Sequence, residues 1–429
     1  MKIENFISKQ IINIKTYGLR ELFRKFNLLI KILAIIPINL IAIFPCMLIR
    51  LISPWILIRI MKVPATNFGN FVSNVALYSC KKKLKIEQPT KRYLDLLYIQ
   101  PNVKIHNKQL ATMWKRKLNF FSGYLLDPIW RIGKFFPGWK IHTIEQSAFD
   151  VDNLMEKYQP LNFNDQEEIY GKKILKEFGL KDSDKFVCLA VRDSAYQLKK
   201  APARFKDWSY HDYRCYDIDD FVLAAEELAK RGYYIFRMGV VVNKPFKTNN
   251  LKIIDYANSN LRSDFMDIYL GARCSFCIST GYGFDELPYF FGRPVAMLGV
   301  PFGFLRTYSR KTLILTKQHI LKKEKRRLNL SEIFSHGAAY ALKTKAFKEK
   351  GIELVDFTPN EIKDFVIEMA ENLEFNNDLN SEDQELQKIF RDLYASNIKR
   401  HPYADIKVHG QIRCCYSAKF LRENRNWLK

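Results

Sequence analysis

Residues 273–301 read RCSFCISTGYGFDELPYFFGRPVAMLGVP, and this stretch decides the fold: an apolar β-forming run, a glycine turn, a short helix and a second apolar run. Ser279, Thr280, Gly281 and Gly283 follow the first run, and Asp285 and Glu286 open the helix. Backbone N–H groups and two hydroxyls converge at such a helix N-terminus, which suits a phosphate. The carboxylates modify that expectation. They either cap the helix or accept hydrogen bonds from ribose hydroxyls, so the stretch points to a nucleotide or sugar nucleotide before a bare anion. The alternative is a structural turn whose glycines serve geometry only. A dinucleotide fingerprint would need a third glycine where Glu286 stands, and a P-loop would need a Lys-Ser/Thr pair, so neither NAD nor ATP is the expected ligand.

Outward from this turn, strand and helix patterns alternate. FVCLAV (186–191), YYIFRM (233–238), KIIDY (252–256) and TLILTK (312–317) read as strands, while DDFVLAAEELAKR (219–231) and the stretch around FMDIYLG read as helices. Elements of these lengths in this order predict parallel βαβ units and a doubly wound α/β sheet. Thr358-Pro359-Asn360-Glu361 forms a capping box with proline at the first helical position, starting a helix to about Leu373. The expected boundaries are a basic and apolar segment over 1–62, a first domain over 63–165 and a second over 166–375. A tail over 376–429 has room to pack back on the first domain. The first domain shows a strand at YLDLLYI (93–99) and a basic helix near KQLATMWKRKL (108–118).

Ligands of open parallel sheets bind beyond the carboxyl ends of the strands. That rule selects Arg192, Asp193 and Ser194 after the first strand, Arg237 and Gly239 after the second, and Ser279 to Gly283 after the fourth. Two arginines and a glycine turn on one rim suit a diphosphate, because guanidinium presents a planar fork of permanent charge. The loop DWSYHDYR (207–214) places His211 among carboxylates, which makes it one candidate general base, with Asp193 as the other. The competing reading of His211 is packing within its loop.

The 429 residues carry a formal charge of +24, and 48% are hydrophobic. Residues 1–140 hold 24 Lys/Arg against 5 Asp/Glu, so the basic character is N-terminal. The same third contains ILAIIPINLIAIFPCMLI (32–49), an uncharged run whose length is borderline for a bilayer span and whose Pro37 and Pro45 disfavour one straight helix. The first expectation is a monotopic, in-plane or re-entrant anchor on an anionic membrane surface, with a transmembrane helix and a buried core segment as alternatives. The apolar stretch starts too late for a signal peptide. Cys274 and Cys277 have zinc-knuckle spacing without a second pair, so core thiols are expected. The positive charge lies beside an apolar run rather than among groove-lining aromatics, which argues against nucleic acid as a partner.

VRDSAY, WSYHDYR, FRMG, IIDYANSNLRSDFMDIYLGA, CISTGYGFDELPYFFGRPVA, KGIELVDFTPNEI and the tail GQIRCCYSAKFL resemble, in order and spacing, a bacterial family of glycosyltransferases encoded in surface-polysaccharide clusters. The resemblance covers most of the chain and is looser over the first domain. It implies the GT-B architecture of two Rossmann-like domains, with the nucleotide-sugar donor on the C-terminal domain and the acceptor facing the N-terminal one. Carried over, it implies that Arg192, Arg237, Ser279, Thr280, Gly281 and Gly283 line the donor diphosphate. Asp285 or Glu286 would contact ribose or sugar, and Arg262 and Asp264 would border the nucleotide. Tyr282 departs from the small or polar residue expected between the two glycines. No DxD motif stands at a strand end, so a metal-independent reaction with the nucleotide sugar as substrate and no cofactor is expected. The implied function is transfer of a sugar to a lipid-linked or growing surface polysaccharide at the cytoplasmic face of the inner membrane. The alternative is a non-catalytic nucleotide-sugar-binding or scaffold subunit of a polysaccharide assembly complex.

Overall fold

The computed structural model describes residues 35–200, 209–305, 309–375, 379–400 and 412–429, with isolated positions before residue 35. The chain forms two compact units that interleave along the sequence. One comprises Met1–Val63, Pro89–Val103 and Leu118–Glu145, and the other Pro64–Gln88, Lys104–Lys117 and Gln146–Lys429. The stretch 63–165 contributes to both units. The reason is local: helices Phe68–Lys83 and Lys108–Lys117 leave the first unit and pack against helices Glu286–Phe290 and Asp264–Arg273 of the second.

In the first unit β1 (Leu57–Val63) and β2 (Tyr93–Ile99) pair in parallel. The residues of β1 continue the apolar run of the anchor, which hid the strand in the sequence. Arg59 stands directly opposite Asp95 in the register, and both are buried in a two-pronged ion pair of 2.7 and 2.9 Å. Breaking such a buried pair from one side costs about 3–5 kcal/mol. Helices Ile43–Ile52 and Gly123–Gly133 cover the strands through a core of Cys46, Ile49, Ile60, Tyr98, Leu126 and Trp139. The helical stretch Ile35–Ile52 is long and apolar enough to cross a membrane by length and composition.

The second unit holds a seven-stranded parallel sheet. Its strands are β3 (Phe186–Ala190), β4 (Tyr234–Arg237), β5 (Ile253–Ile254), β6 (Phe276–Ser279), β7 (Val295–Leu298), β8 (Thr312–Leu315) and β9 (Cys415–Tyr416), in the spatial order β9-β8-β7-β6-β3-β4-β5. The doubly wound α/β expectation is met, with the fourth strand of the sequence reading at β6. Chain order runs outward from β3 to β5 and then restarts at β6 on the other side of β3. A crevice therefore opens between the ends of β3 and β6, where ligands of such sheets bind. The C-terminal tail completes this sheet: β9 pairs with β8, and Gln387 brackets Tyr416 with hydrogen bonds of 2.7 and 2.9 Å. Thr358 forms the expected capping box for helix Pro359–Glu374. Cys188, Cys274 and Cys277 are buried thiols, and burial holds Cys188 and Cys277 well above the usual thiol range.

Candidate functional site

The glycine turn is built by its own hydroxyls. Ser279 ends β6 fully buried. Its Oγ donates to Asp285 Oδ2 at 2.8 Å and accepts from the N–H groups of Gly281 and Tyr282 at 3.1 and 3.3 Å. Thr280 ties the turn to the end of β3: its Oγ1 accepts from the Arg192 N–H at 2.8 Å, and its own N–H donates to the Ala190 carbonyl at 3.2 Å. Gly281 takes φ 78°, which a side chain would strain.

Over this turn, within the second unit, opens a cavity of about 440 Å³. Arg192 and Arg214 line it together with Gly281, Gly283, Asp285 and Glu286. The start of helix Phe68–Lys83, which no motif in the sequence reading flagged, faces the same space through Asn67 to Asn70. That helix has 16 residues, no side-chain capping bond and no acid in its first turn. Its N-terminal amides and the positive end of its dipole thus meet the glycine turn beside two guanidinium groups. Gly69 permits the approach, since a Cβ there would lie 3.1 Å from Gly283 O and 3.2 Å from its Cα. A series of rings forms a further wall. Phe284 stacks on Phe68 at 6.1 Å, Phe68 meets His106 at 5.3 Å, and His106 meets Tyr196 at 5.4 Å.

Of the residues expected from sequence, Arg192, Asp193, Gly239, Gly281, Tyr282, Gly283, Asp285 and Glu286 line the cavity. The others are placed elsewhere. Ser279 and Thr280 hold the turn from beneath, as described. Arg237 is 1% exposed and gives Nη1 to Asp255 at 3.1 Å and Nη2 to the Lys244 carbonyl at 3.3 Å, so it braces the chain after β4 and lines no part of this cavity. Arg262 donates to the Gly239 carbonyl and to Asp267, at 3.1 and 2.6 Å. Asp264 caps helix Lys108–Lys117, accepting the Lys108 N–H at 2.7 Å. Ser194 lies 3.5 Å from the Asn243 amide. His211 belongs to the short turn Ser209–Arg214, and its side chain lies outside the described residues.

Asp193 is held by the backbone: Oδ1 accepts from Ala195 N–H at 3.0 Å and Oδ2 from Asn243 N–H at 2.9 Å. That engagement makes it an anchor for two loops. Tyr282 lines the cavity with a phenol pushed well up by burial and by nearby Asp193, so its hydroxyl stays protonated. Asp267, also on the lining, is pushed up to about 6 by burial, against the opposing pull of Arg262. The signals for the missed wall were slight. They were an N-cap asparagine and a glycine in NFGN (67–70), and a histidine in a segment whose partners lie far away in sequence.

No family model matches the chain, and no curated protein matches it. Among solved structures it is similar to the glycosyl transferase family 9 protein from Veillonella parvula DSM 2008, at TM-score 0.38 and 12% identity over 75% of this chain and 98% of that one. It is also similar to the ADP-heptose LPS heptosyltransferase II of E. coli, at TM-score 0.34 and 12% identity over 68% of this chain and 98% of that one. Likeness at that level carries no functional weight, and the reading of function rests on the cavity itself.

Proposed function

We propose that the chain is a glycosyltransferase that moves a sugar from a nucleotide-diphosphate donor to a lipid-linked or growing surface polysaccharide at the cytoplasmic membrane face. One observation carries this reading. At the switch point of the sheet, a helix N-terminus, Arg192 and Arg214 share a single cavity with Asp285 and Glu286 across a glycine turn. Cations and backbone amides suit a diphosphate, carboxylates suit sugar or ribose hydroxyls, and the rings of Phe68 and Tyr196 offer a base or sugar a stacking surface.

In the proposed reaction the acceptor hydroxyl attacks the anomeric carbon. The bond from that carbon to the donor diphosphate breaks, and the nucleoside diphosphate leaves with the electron pair. Arg192, Arg214 and the helix dipole stabilise the charge that develops on it. His106 lines the cavity, and we assign its imidazole to take the acceptor proton. That assignment replaces Asp193, both of whose oxygens are engaged by backbone. The scheme needs no cofactor beyond the nucleotide sugar and no metal ion.

The engagement of Asp193 also favours a second reading, a nucleotide-sugar-binding subunit without chemistry. A thermal-shift screen across UDP-, GDP-, CMP- and dTDP-sugars, followed by an assay of nucleotide release, separates the two. A stabilising donor that is turned over by the wild type, and far more slowly by Arg192→Ala and His106→Ala, supports transfer. A stabilising donor that is never turned over supports the binding subunit. No stabilisation by any donor sinks both.

A further inference from the structure

The first unit carries an apolar surface that is larger than its N-terminal helix. Helix Ile43–Ile52 buries Cys46 and Ile49 against its own unit, while Phe44, Met47 and Leu51 on the other side are exposed, Phe44 at 74%. The neighbouring helix Gly123–Gly133 packs Leu126 and Ile129 into the same core and leaves Tyr124 and Leu125 exposed. Phe121 precedes that helix and Phe135 follows it, the latter 83% exposed, and Trp55 is 73% exposed after the first helix.

Charge on this unit is sorted by sign. Its described acids are Asp95, Asp127 and Glu145. Asp95 is buried with Arg59, and Asp127 is buried beside Lys62 and Arg131. The exposed basic residues are Arg50, Lys91, Arg92, Lys134 and Lys140, with Glu145 as the one exposed acid among the described residues of the unit. Lys140 pairs with Glu145 at 3.0 Å, which leaves Arg50, Lys91, Arg92 and Lys134 as an excess of positive charge, and a surface that combines this excess with exposed aromatics and aliphatic side chains matches an anionic bilayer interface. It is a poor match for a protein partner, because apolar protein interfaces deplete lysine.

We propose that the first unit docks in the plane of an anionic membrane through two patches: the outward face of helix Ile43–Ile52, and a second patch formed by Phe121, Tyr124, Leu125 and Phe135. An in-plane pose follows from packing. A lone spanning helix would present every side to lipid, whereas here the Cys46 and Ile49 side is closed by Ile60, Tyr98 and Leu126. Docking does not depend on sugar transfer, so it stands or falls separately from the proposed activity.

The experiment is flotation of the full chain with phosphatidylcholine vesicles, with and without phosphatidylglycerol, at low and high salt. Wild type should float with the anionic vesicles and release at high salt. Tyr124→Ser/Leu125→Ser alters only exposed side chains and should weaken flotation about tenfold or more, as should Phe44→Ser/Leu51→Ser on the helix. An unchanged melting temperature in each variant shows that folding is intact. Wild-type flotation by the Tyr124/Leu125 variant would overturn the second patch. Equal flotation with neutral vesicles at all salt concentrations would overturn the electrostatic pairing, and resistance of the wild type to alkaline extraction would replace the in-plane pose with a spanning one.

Discussion

β3 and β4 are adjacent parallel strands, and an arginine stands at the end of each, yet the two side chains do opposite work. Arg237 pairs in register with Leu189, still inside the sheet, and its guanidinium is buried against Asp255 and the Lys244 carbonyl. Arg192 lies two positions beyond the end of β3, where Thr280 takes its backbone N–H and its side chain reaches the cavity lining, with Nη1 2.8 Å from Cys215 Sγ. Residue type is the same in both places. Register decides which arginine can meet a ligand and which braces a loop.

Removing each arginine tests that distinction, and the larger loss should fall on the brace. Arg237→Ala leaves a void where the fully buried guanidinium stood and takes a partner from the half-buried Asp255, so stability should drop by about 2–5 kcal/mol. Donor affinity measured in the cold, where the variant is still folded, should change little. A variant that melts like the wild type but no longer binds donor would invert the comparison.

Arg192→Ala should show the reverse pattern. Its backbone bond to Thr280 survives the substitution while its buried side chain gives up the contact with Cys215, so the melting temperature should fall, but by less than for Arg237→Ala. Loss of a charged hydrogen-bonding fork should weaken donor binding by about 1.5–3 kcal/mol, roughly ten- to a hundredfold. Calorimetric titration with the donor identified by thermal shift reads this directly. Arg192→Lys keeps the charge without the fork and should recover only part of the affinity.

The sheet was legible in the sequence because its strands are short apolar runs separated by helices of ordinary length, and the capping box at Thr358 announced itself through four residues. β1 was not, since LIRIMKV reads as more of the anchor until Asp95 is seen opposite Arg59. The rim rule found the β3 and β6 ends. It could not tell that both oxygens of Asp193 go to backbone amides at 195 and 243, because main-chain donors have no sequence signature. Nor could it reach Phe68 and His106, which join the site only through tertiary packing of two early segments.

A third arginine sharpens the contrast. Arg262 braces, like Arg237, but its partner Asp267 is on the cavity lining. Burial raises the Asp267 carboxyl in the folded chain to about 6, from an ordinary value of 3.8. The neutral form is therefore favoured by folding. The stability it contributes is present in full below about pH 4 and is lost as pH rises through 6. Asp267→Asn removes the titration while keeping an oxygen for the Tyr256 hydroxyl, which donates to Oδ1 at 3.0 Å. The stability of wild type minus that of the variant should thus fall between pH 4 and 7, by on the order of 1–2 kcal/mol. Denaturant midpoints measured in parallel check the sign, and a flat difference would show that Arg262 fully offsets the burial.

The smallest effect on stability, and the most local test of the cavity side, is expected from Gly69→Ala. Alanine favours a helix over glycine by about 1 kcal/mol. Against that gain, its Cβ would stand 3.1 and 3.2 Å from the backbone of Gly283, in a turn fixed by Ser279 and Thr280. Backbone cannot rotate out of the way as a side chain tip can, so the helix start must withdraw by a few tenths of an ångström. The two effects oppose, and the melting temperature should stay near that of wild type. Donor binding has no such offset: amides of Gly69 and Asn70 that withdraw from the cavity weaken their bonds to phosphate, and affinity should fall several-fold. Unchanged affinity in a normally folded Gly69→Ala chain would remove the helix N-terminus from the proposed anion site and leave Arg192 and Arg214 to hold the diphosphate alone.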